Sequence, residues 1–299
     1  MEKVMDMAME QTKIADTAIE ANHWTLVIKP VSGWFNLNLN ELWNYRDLIF
    51  LFVKRDFISL YKQTILGPLW FFIQPLLTTI TFTVIFGNIA QLSTDGLPPV
   101  LFYLAGITCW TYFSECFNKT SNVFSANASI FGKVYFPRLV LPFSIIISNL
   151  FKFGLQFLIF LVFYFYFKIN GHAINIGISV LFFPLLIVIM AGLGLGLGII
   201  ISSMTTKYRD LQHLIGFGVQ LMMYASPIVY PLSSVPDNYK WILLLNPMTS
   251  IIEAFKFSFL GVGVFSVAGL IYSFLFMCIA LIIGIVIFSK VEKSFMDTV

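Results

Sequence analysis

Two ionisable side chains, Glu115 and Lys152, fall inside long apolar stretches of this 299-residue chain. A charged group is costly at membrane depth, so a residue of this kind is a functional hypothesis by default. Glu115 lies one helical turn before Lys119, where the two side chains can pair on one helix face. Lys152 lies nearer the middle of its apolar stretch, where Glu115 or a wet cavity would satisfy it. Pairing inside the protein is the favoured interpretation, and a functional role is the alternative.

Sequence patterns typical of enzymes and of metal sites are absent. The chain has no G-x-x-x-x-G-K-[S/T] loop for ATP, no paired-histidine motif and no nucleophile elbow. Its histidines are scattered, and its cysteines, Cys109, Cys116 and Cys278, all fall in apolar segments. We predict that these cysteines are inert packing residues. We also predict that the chain is not an enzyme and binds no metal and no cofactor.

The composition is that of an integral membrane protein. Hydrophobic residues make up 58% of the chain and charged residues 11%, and the mean hydropathy is +0.86. Soluble domains usually have about 25% charged residues. The net charge of +3 does not indicate a class of protein, whereas the positions of the charged residues along the chain are informative. We do not expect the protein to bind nucleic acid.

An amphipathic helix is predicted over residues 41–64, just before the first membrane span. On a helical wheel one broad arc holds Leu42, Tyr45, Ile49, Phe52, Val53, Phe57 and Leu60. The charged residues that we assign to this interfacial helix are Lys54, Arg55, Asp56 and Lys62. A helix of this kind can lie in a membrane interface with its apolar side down. Because Arg46 and Asp56 fall inside the apolar arc, part of the helix is expected to touch protein as well as lipid.

The predicted fold is an all-α membrane protein with six transmembrane helices within residues 65–299. A span needs roughly 20 apolar residues. The predicted spans are about Ile65–Ile89, Val100–Phe117, Leu139–Phe167, Gly177–Ser202, Gln212–Tyr230 and Val264–Phe288. Residues 1–40 form a cytoplasmic segment without a signal-peptide-like run. If both termini are cytoplasmic, Lys and Arg concentrate on the inner side, as the positive-inside rule expects.

Glycines recur at fixed spacing in the fourth predicted span, in the sequence AGLGLGLG. Gly192 pairs with Gly196, and Gly194 pairs with Gly198, as two interleaved G-x-x-x-G motifs. Each motif lets another helix approach closely, and the two motifs point to different sides. Helix packing is the favoured interpretation, and a pliable gating segment is the alternative.

Four segments together resemble the permease subunits of polysaccharide-export ABC transporters of the O-antigen type. They are VKRDFISLYKQTILGPLWFFIQPL (Val53–Leu76), FGKVYFPR (Phe131–Arg138), KYRDLQHL (Lys207–Leu214) and SPIVYPLSSVPDNYKWILLLNPMTSIIEAF (Ser226–Phe255). The resemblance implies a permease that forms a homodimer. It also implies two separate ATPase subunits on the cytoplasmic face. These subunits would bind ATP and Mg²⁺, since this chain has no ATP-binding motif.

The resemblance further implies where the ATPase is coupled. The implied coupling residues are Phe131, Lys133, Tyr135, Phe136 and Arg138, followed in the second cytoplasmic turn by Arg209 and Asp210. Their aromatic and basic side chains would enter a groove on the ATPase, while a plain positive-inside anchor is the alternative. The interfacial helix would lie beside the ATPase and beside the site where a lipid-linked sugar chain enters.

Two further sets of residues are candidates for the transport path. By resemblance, short re-entrant helices between the fifth and sixth spans form a periplasmic gate, with a plain loop as the alternative. The candidate gate residues are Tyr230, Pro231, Pro236, Asn246 and Pro247. Amphipathic aromatics can stack on sugar rings, although interfacial anchoring explains some of them equally well. The candidate channel residues are Trp70, Tyr103, Trp110, Tyr112 and Tyr224.

The predicted function is export of a lipid-linked polysaccharide, O-antigen, across the bacterial inner membrane to the periplasm, driven by the partner ATPase. An exporter of teichoic acid, capsule or a small drug would share the same physical features. A membrane-embedded transferase would need a cluster of carboxylates or histidines that the sequence does not show. A secondary transporter would usually have inverted repeats with polar sites at the midplane, and only Lys152 and Gln156 lie there.

Overall fold

The computed structural model of the chain describes residues 39–62, 67–131, 136–205, 208 and 210–294. All of them belong to one compact unit. The predicted N-terminal segment lies almost entirely outside the described residues. The division into an N-terminal segment, an interfacial helix and a permease domain stays a prediction.

Every regular element in the described part of the chain is helical, which confirms the all-α prediction. The helices there are α1 Leu39–Asn44, α2 Arg46–Tyr61, α3 Trp70–Phe82, α4 Pro99–Ser121, α5 Val123–Phe131, α6 Val140–Ile169, α7 Phe183–Thr205, α8 Leu211–Tyr224, α9 Asp237–Leu244, α10 Pro247–Leu260 and α11 Val267–Ser294. A π-helix, Thr83–Ile89, continues α3, and short 3₁₀ turns occur at Gly67–Leu69, Ile178–Phe182 and Leu232–Ser234.

Within the described ranges, five helical segments are long and apolar enough to cross a membrane. They are Trp70–Ile89, Pro99–Ser121, Val140–Ile169, Ile178–Thr205 and Val267–Phe288. These correspond to the first, second, third, fourth and sixth predicted spans. The sequence therefore locates these five long apolar helices, and the count of six spans stays a prediction.

The predicted fifth span differs from the structure. Helix α8 has 14 residues and ends at Tyr224, six residues before the predicted end. It is about 21 Å long, whereas the apolar layer of a bilayer is about 30 Å thick. The helix stops there because Pro227 supplies no N–H and disfavours helical backbone at Ser226. Beyond α8, helices α9 and α10 meet at a bend of 102°. If these two helices cross the membrane together as one broken span, the described residues contain six candidate spans.

Helix α7 packs closely against two neighbouring helices, α4 and α11, because its glycines let them approach its backbone. A Cβ added at Gly194 or Gly198 would lie 2.6 Å from side-chain carbons of α4. A Cβ added at Gly196 would lie 2.8 Å from the backbone nitrogen of Leu281 in α11. The two glycine motifs therefore face different helices, which confirms the prediction from their spacing.

The contact between α7 and α11 can be tested with one methyl group. We expect Gly196→Ala to lower the stability of the purified protein by roughly 1–3 kcal/mol, because backbone atoms of α11 would have to move. Gly154→Ala in α6 is the matched control, since nothing lies within 4 Å of its added Cβ. Thermal unfolding in detergent measures both variants. Equal melting temperatures for the two variants would contradict the close approach of α7 to α11.

Candidate functional site

Five phenylalanines form a buried cluster at one end of the bundle: Phe52, Phe124, Phe131, Phe136 and Phe288. The ring of Phe136 lies 5.7 Å from that of Phe52 and 5.5 Å from that of Phe131. The ring of Phe124 lies 5.6 Å from that of Phe131 and 5.1 Å from that of Phe288. These spacings are typical of favourable aromatic contacts. The aromatic cluster therefore joins α2, α5, the segment after α5, and α11.

Phe131 and Phe136 face inward, and the groove-filling role that the resemblance implies for them stays a prediction. Their exposed fractions are only 6% and 5%, so their rings are not offered to a partner in this conformation. The guanidinium of Arg138 lies 5.9 Å over the Phe131 ring. Asp210 is exposed just before α8. The rings of Phe131 and Phe136 pack against one another, which a list of residue types does not reveal.

The other predicted coupling residues, Lys133, Tyr135 and Arg209, lie outside the described residues. Assignment of this segment to ATPase coupling stays a prediction.

The predicted interfacial helix contacts protein through one side and leaves another side open. Phe52 and Val53 are buried, whereas Phe50 is 69% exposed. Helix α2 packs against α6, where the Phe57 and Phe151 rings lie 6.0 Å apart. The expectation that part of this helix touches protein is confirmed. Its position in a membrane interface stays a prediction.

The charged residues that were assigned to the interfacial helix lie mostly in solvent-accessible positions. Lys54, Arg55 and Lys62 are exposed, and Asp56 is half-buried. Arg55 forms an ion pair with Asp56 at 2.9 Å, and its guanidinium lies 4.8 Å over the Phe52 ring. The polar side of α2 is therefore tied to the aromatic cluster.

The ionisable residues inside the apolar helices pair with one another. One oxygen of Glu115, Oε2, lies 2.9 Å from Lys119 Nζ and 3.4 Å from Lys152 Nζ. Lys119 also donates a hydrogen bond of 3.2 Å to Asn149 Oδ1. This confirms the predicted pairing of Glu115 with Lys119. Of the two alternatives expected for Lys152, Glu115 or a wet cavity, the structure shows the contact with Glu115, and Lys152 also lines a cavity.

The candidate channel aromatics separate into a buried and an exposed group. Tyr103, Trp110 and Tyr112 on α4 are buried, because α4 is covered by α3, α6 and α7. Trp70 is 48% exposed and Tyr224 is 44% exposed. In this conformation only Trp70 and Tyr224, of these five residues, offer substantial ring surface outside the chain. A channel role for any of the five stays a prediction.

The candidate gate residues occupy breaks and turns between α8 and α10. Helix α9 begins directly after Pro236, and α10 begins at Pro247, which confirms the predicted break points. Asn246 caps α10 by accepting a hydrogen bond of 3.0 Å from the backbone N–H of Met248. Its amide nitrogen donates a hydrogen bond of 2.8 Å to Ser226 Oγ, which ties α10 to the turn after α8.

The remaining two candidate gate residues, Tyr230 and Pro231, lie in the segment that leads from α8 to α9. Tyr230 donates a hydrogen bond of 3.0 Å from its hydroxyl to the carbonyl oxygen of Tyr224, the last residue of α8. Pro231 directly precedes the 3₁₀ turn Leu232–Ser234. A gating role stays a prediction.

Sequence reasoning missed two buried ionisable residues on α10, Glu253 and Lys256. Lys256 is 1% exposed, donates a hydrogen bond of 2.6 Å to the Pro227 carbonyl oxygen, and lies 3.4 Å from the Phe102 ring centroid. Glu253 Oε2 accepts a hydrogen bond of 3.0 Å from the Val264 backbone N–H. The available signal was a carboxylate and an ammonium three residues apart in an otherwise uncharged helix.

Comparison with known families identifies the chain. The sequence model of the family described as ABC-2 type transporter matches residues 47–260. The chain belongs to the ABC-2 type transporter family. The match begins at the first turn of α2 and ends with α10, so it includes the aromatic cluster except for Phe288, the paired charges, and the bent helices α9 and α10.

Curated relatives of this ABC-2 type protein are named as O-antigen export permeases and as a polysialic acid transport protein. It is 28% identical over 256 residues to the O-antigen export system permease protein RfbA of Klebsiella pneumoniae, covering 84% of this chain and 94% of that protein. It is 29% identical over 222 residues to the protein of the same name from Myxococcus xanthus, covering 73% and 82%. It is 25% identical over 237 residues to the polysialic acid transport protein KpsM of Escherichia coli, covering 78% and 89%.

Membership of the family fixes the general class of the protein. ABC-2 type permeases are transmembrane subunits that work with an ATPase subunit, and the apolar helices of this chain agree with a multi-pass membrane protein. The bent pair of α9 and α10 lies inside the matched region.

The junction between α8 and α10 can be tested at Asn246. We expect Asn246→Ala to lower stability by roughly 1–2 kcal/mol, since it removes both a helix cap and the hydrogen bond to Ser226. Asn246→Asp is the matched variant, because it keeps an acceptor for the Met248 N–H and loses the donor to Ser226. Thermal unfolding should therefore place Asn246→Asp between the wild type and Asn246→Ala. An alanine variant as stable as the wild type would show that neither bond holds the junction.

Proposed function

We propose that this protein is the channel-forming subunit of an ATP-driven exporter that moves a lipid-linked polysaccharide, O-antigen, from the cytoplasmic to the periplasmic side of the bacterial inner membrane. The observation that carries the proposal is the family match together with relatives named as O-antigen export permeases. In this proposal the protein is a homodimer, both termini are cytoplasmic, and a separate subunit binds ATP and Mg²⁺. The absence of an ATP-binding loop from the sequence agrees with that division of labour.

The arrangement of the aromatic cluster supports a route for coupling. Phe136 lies in the proposed coupling segment, Phe52 lies in the proposed interfacial helix, and Phe288 lies in the last membrane helix. Close-packed rings transmit displacement, because a packed interior is not freely compressible. Movement of the coupling segment by the ATPase would therefore reach α2 and α11 together.

The uncovered apolar surface of α8 supports association with a second copy. Leu214, Phe217 and Leu221 are exposed, and only Val219 in this helix is buried. Lipid or a second protomer would cover this surface. The proposed channel lies between the two protomers, since α4 fills the interior of one protomer with its own side chains.

A capsule-type polysaccharide is the second candidate cargo. The similarity to a protein named as a polysialic acid transporter favours it, although the identity of 25% is lower than for the O-antigen permeases. Both cargoes are long, polar sugar chains, so the same helices would serve either one.

Loss of the gene tests the proposed cargo. We expect a deletion strain to lack surface O-antigen and to accumulate the lipid-linked sugar chain in its inner membrane. Immunoblots of whole-cell lipopolysaccharide and mass spectrometry of extracted lipids measure these two pools, and plasmid-borne wild-type protein is the control for restoration. If O-antigen display stays normal while capsule is lost, the second cargo replaces the first. Normal display of both glycans would contradict export of polysaccharide.

The route through the aromatic cluster has its own test. We expect Phe52→Leu to reduce glycan export per ATP hydrolysed by roughly two- to tenfold, because it removes aromatic contacts of about 0.5–1.5 kcal/mol. Phe50→Leu is the matched control on the same helix, since Phe50 is exposed. Both variants are compared as complexes with the ATPase after their abundance has been equalised. An identical ratio of export to hydrolysis in both variants would exclude the cluster from coupling.

A further inference from the structure

Two adjoining cavities open between α2, α4 and α6, and the start of α3 lines one of them. Their volumes are about 430 Å³ and 520 Å³, and they share Ser59, Lys119 and Lys152 as lining residues. We call the two cavities together the charged cleft. Phe71 and Phe153 give it apolar walls beside the charged groups. The charged cleft therefore combines a polar floor with surface that suits a lipid chain.

The charges in the cleft do not balance. Among its described lining residues, the charged groups are Arg55, Asp56, Glu115, Lys119 and Lys152. Arg55 and Asp56 form an ion pair with each other at 2.9 Å. Lys119 and Lys152 then share the single carboxylate of Glu115, and both approach the same oxygen. One positive charge is left without a balancing carboxylate, and two ammonium groups lie close together in a partly desolvated place.

Unpartnered polar atoms support a polar occupant. Gln156 lines one cavity and Ser148 lines the other, and both residues are buried. Gln156 Oε1 and Ser148 Oγ have no hydrogen-bond partner within the described part of the chain. A buried polar group without a partner costs about 1–3 kcal/mol, so such groups usually meet a ligand or ordered water. Ser148 Oγ can donate a hydrogen bond to an anion in this cleft with surplus positive charge, whereas Gln156 Oε1 only accepts and would be satisfied by ordered water or a hydroxyl group.

We propose that the charged cleft binds the phosphate group of a membrane lipid, with Lys119 and Lys152 donating hydrogen bonds to its oxygens. This inference rests on the proposed function, in which the carrier lipid of the exported glycan is the natural ligand. A phosphodiester brings one negative charge, which equals the surplus in the cleft. A diphosphate carries more negative charge, and both lysines then pair with it instead of with Glu115. An uncharged sugar chain would leave the surplus positive charge unbalanced.

The position of the cleft favours a lipid over a free ion. Glu115 and Lys152 lie within helices that are long and apolar enough to cross a membrane. Trp70, which is half-exposed at the start of α3, lines the same cavity as both residues. A lipid can place its phosphate on the lysines while its chain lies along the apolar surface of α3. Glu115 holds the lysines in place until the phosphate arrives.

A purely structural ion network makes a different prediction at Glu115. If the three charges only hold α4 to α6, removing any one of them should damage the protein to a similar extent. If the lysines serve an anion, Glu115→Gln removes a competitor for them and should leave phosphate binding unchanged or tighter. Lys119→Gln and Lys152→Gln should weaken it. Opposite changes in phosphate affinity in the Glu115 variant and in the lysine variants distinguish an anion site from a purely structural ion network.

The test is equilibrium binding of radiolabelled farnesyl diphosphate to the full-length protein in phosphatidylcholine nanodiscs. We expect Lys119→Gln and Lys152→Gln each to raise Kd by roughly tenfold or more, because each removes a charge-assisted hydrogen bond. Lys152→Arg should restore much of the binding. Lys240→Gln is the matched control, since Lys240 pairs with Asp237 outside the cleft. Thermal unfolding of each variant checks that it has folded.

Competitors identify the source of the phosphate. Farnesol, which lacks the phosphate, should not compete. If phosphatidylglycerol competes as well as unlabelled farnesyl diphosphate, the site is supported and accepts membrane phospholipids in general. If inorganic pyrophosphate competes equally well, the lipid part of the proposal is wrong. Failure of the wild type to bind, or weakening by Glu115→Gln equal to that of the lysine variants, would overturn the proposal.

The binding assay needs neither the ATPase nor export, so its outcome is separate from the proposed function. If the wild-type protein exports glycan but binds no prenyl diphosphate, the proposed phosphate site is wrong and the proposed function stands. If the wild-type protein binds prenyl diphosphate through Lys152 but exports no glycan, the proposed function is wrong and the phosphate site stands.

Discussion

The architecture depends on the close approach of α7 to two neighbouring helices, which its glycines permit. Gly194 and Gly198 admit α4, and Gly196 admits α11 to within contact of its backbone. Hydrophobic burial drives helices together only weakly inside a bilayer, so close backbone packing of this kind supplies much of the association. Since α4 is enclosed by α7 on one side and by α6 on another, its side chains form the interior of the protomer. The position of α4 in turn sets the position of Glu115 and Lys119.

Two features lie close to one another at the C-terminal end of α4. The charged cleft lies between α2, α4 and α6, and the aromatic cluster joins α2, α5 and α11. Helix α2 belongs to both, since Phe52 is in the cluster while Arg55 and Asp56 line the cleft. In the proposed exporter, α2 would therefore connect the segment moved by the ATPase with the place that receives the lipid phosphate. One helix shared by both features would let ATP-driven movement act on the bound substrate.

The sequence predicted features that depend on near neighbours along the chain. Apolar runs located five of the helices, the spacing of four residues predicted the pair Glu115–Lys119, and glycine spacing predicted two packing faces for α7. Apart from the contact of Lys152 with Glu115, which was one of two alternatives, features that depend on distant residues were not predicted. The inward rings of Phe131 and Phe136 and the bond from Lys256 to Pro227 arise from tertiary contacts, which periodicity does not encode. The early end of α8 was readable in principle, because Pro227 restricts Ser226.

The measurement that most directly tests the account is ATP-dependent translocation of lipid-linked glycan in sealed vesicles. The vesicles contain the purified protein, its proposed partner ATPase and lipid-linked O-antigen, and an impermeant glycosidase on the far side reports the glycan that has crossed. In the proposed exporter the ATPase co-purifies with the protein, and crossing requires ATP hydrolysis. Crossing at the same rate without ATP, or with the ATPase omitted, would contradict an ABC-type mechanism and favour secondary transport.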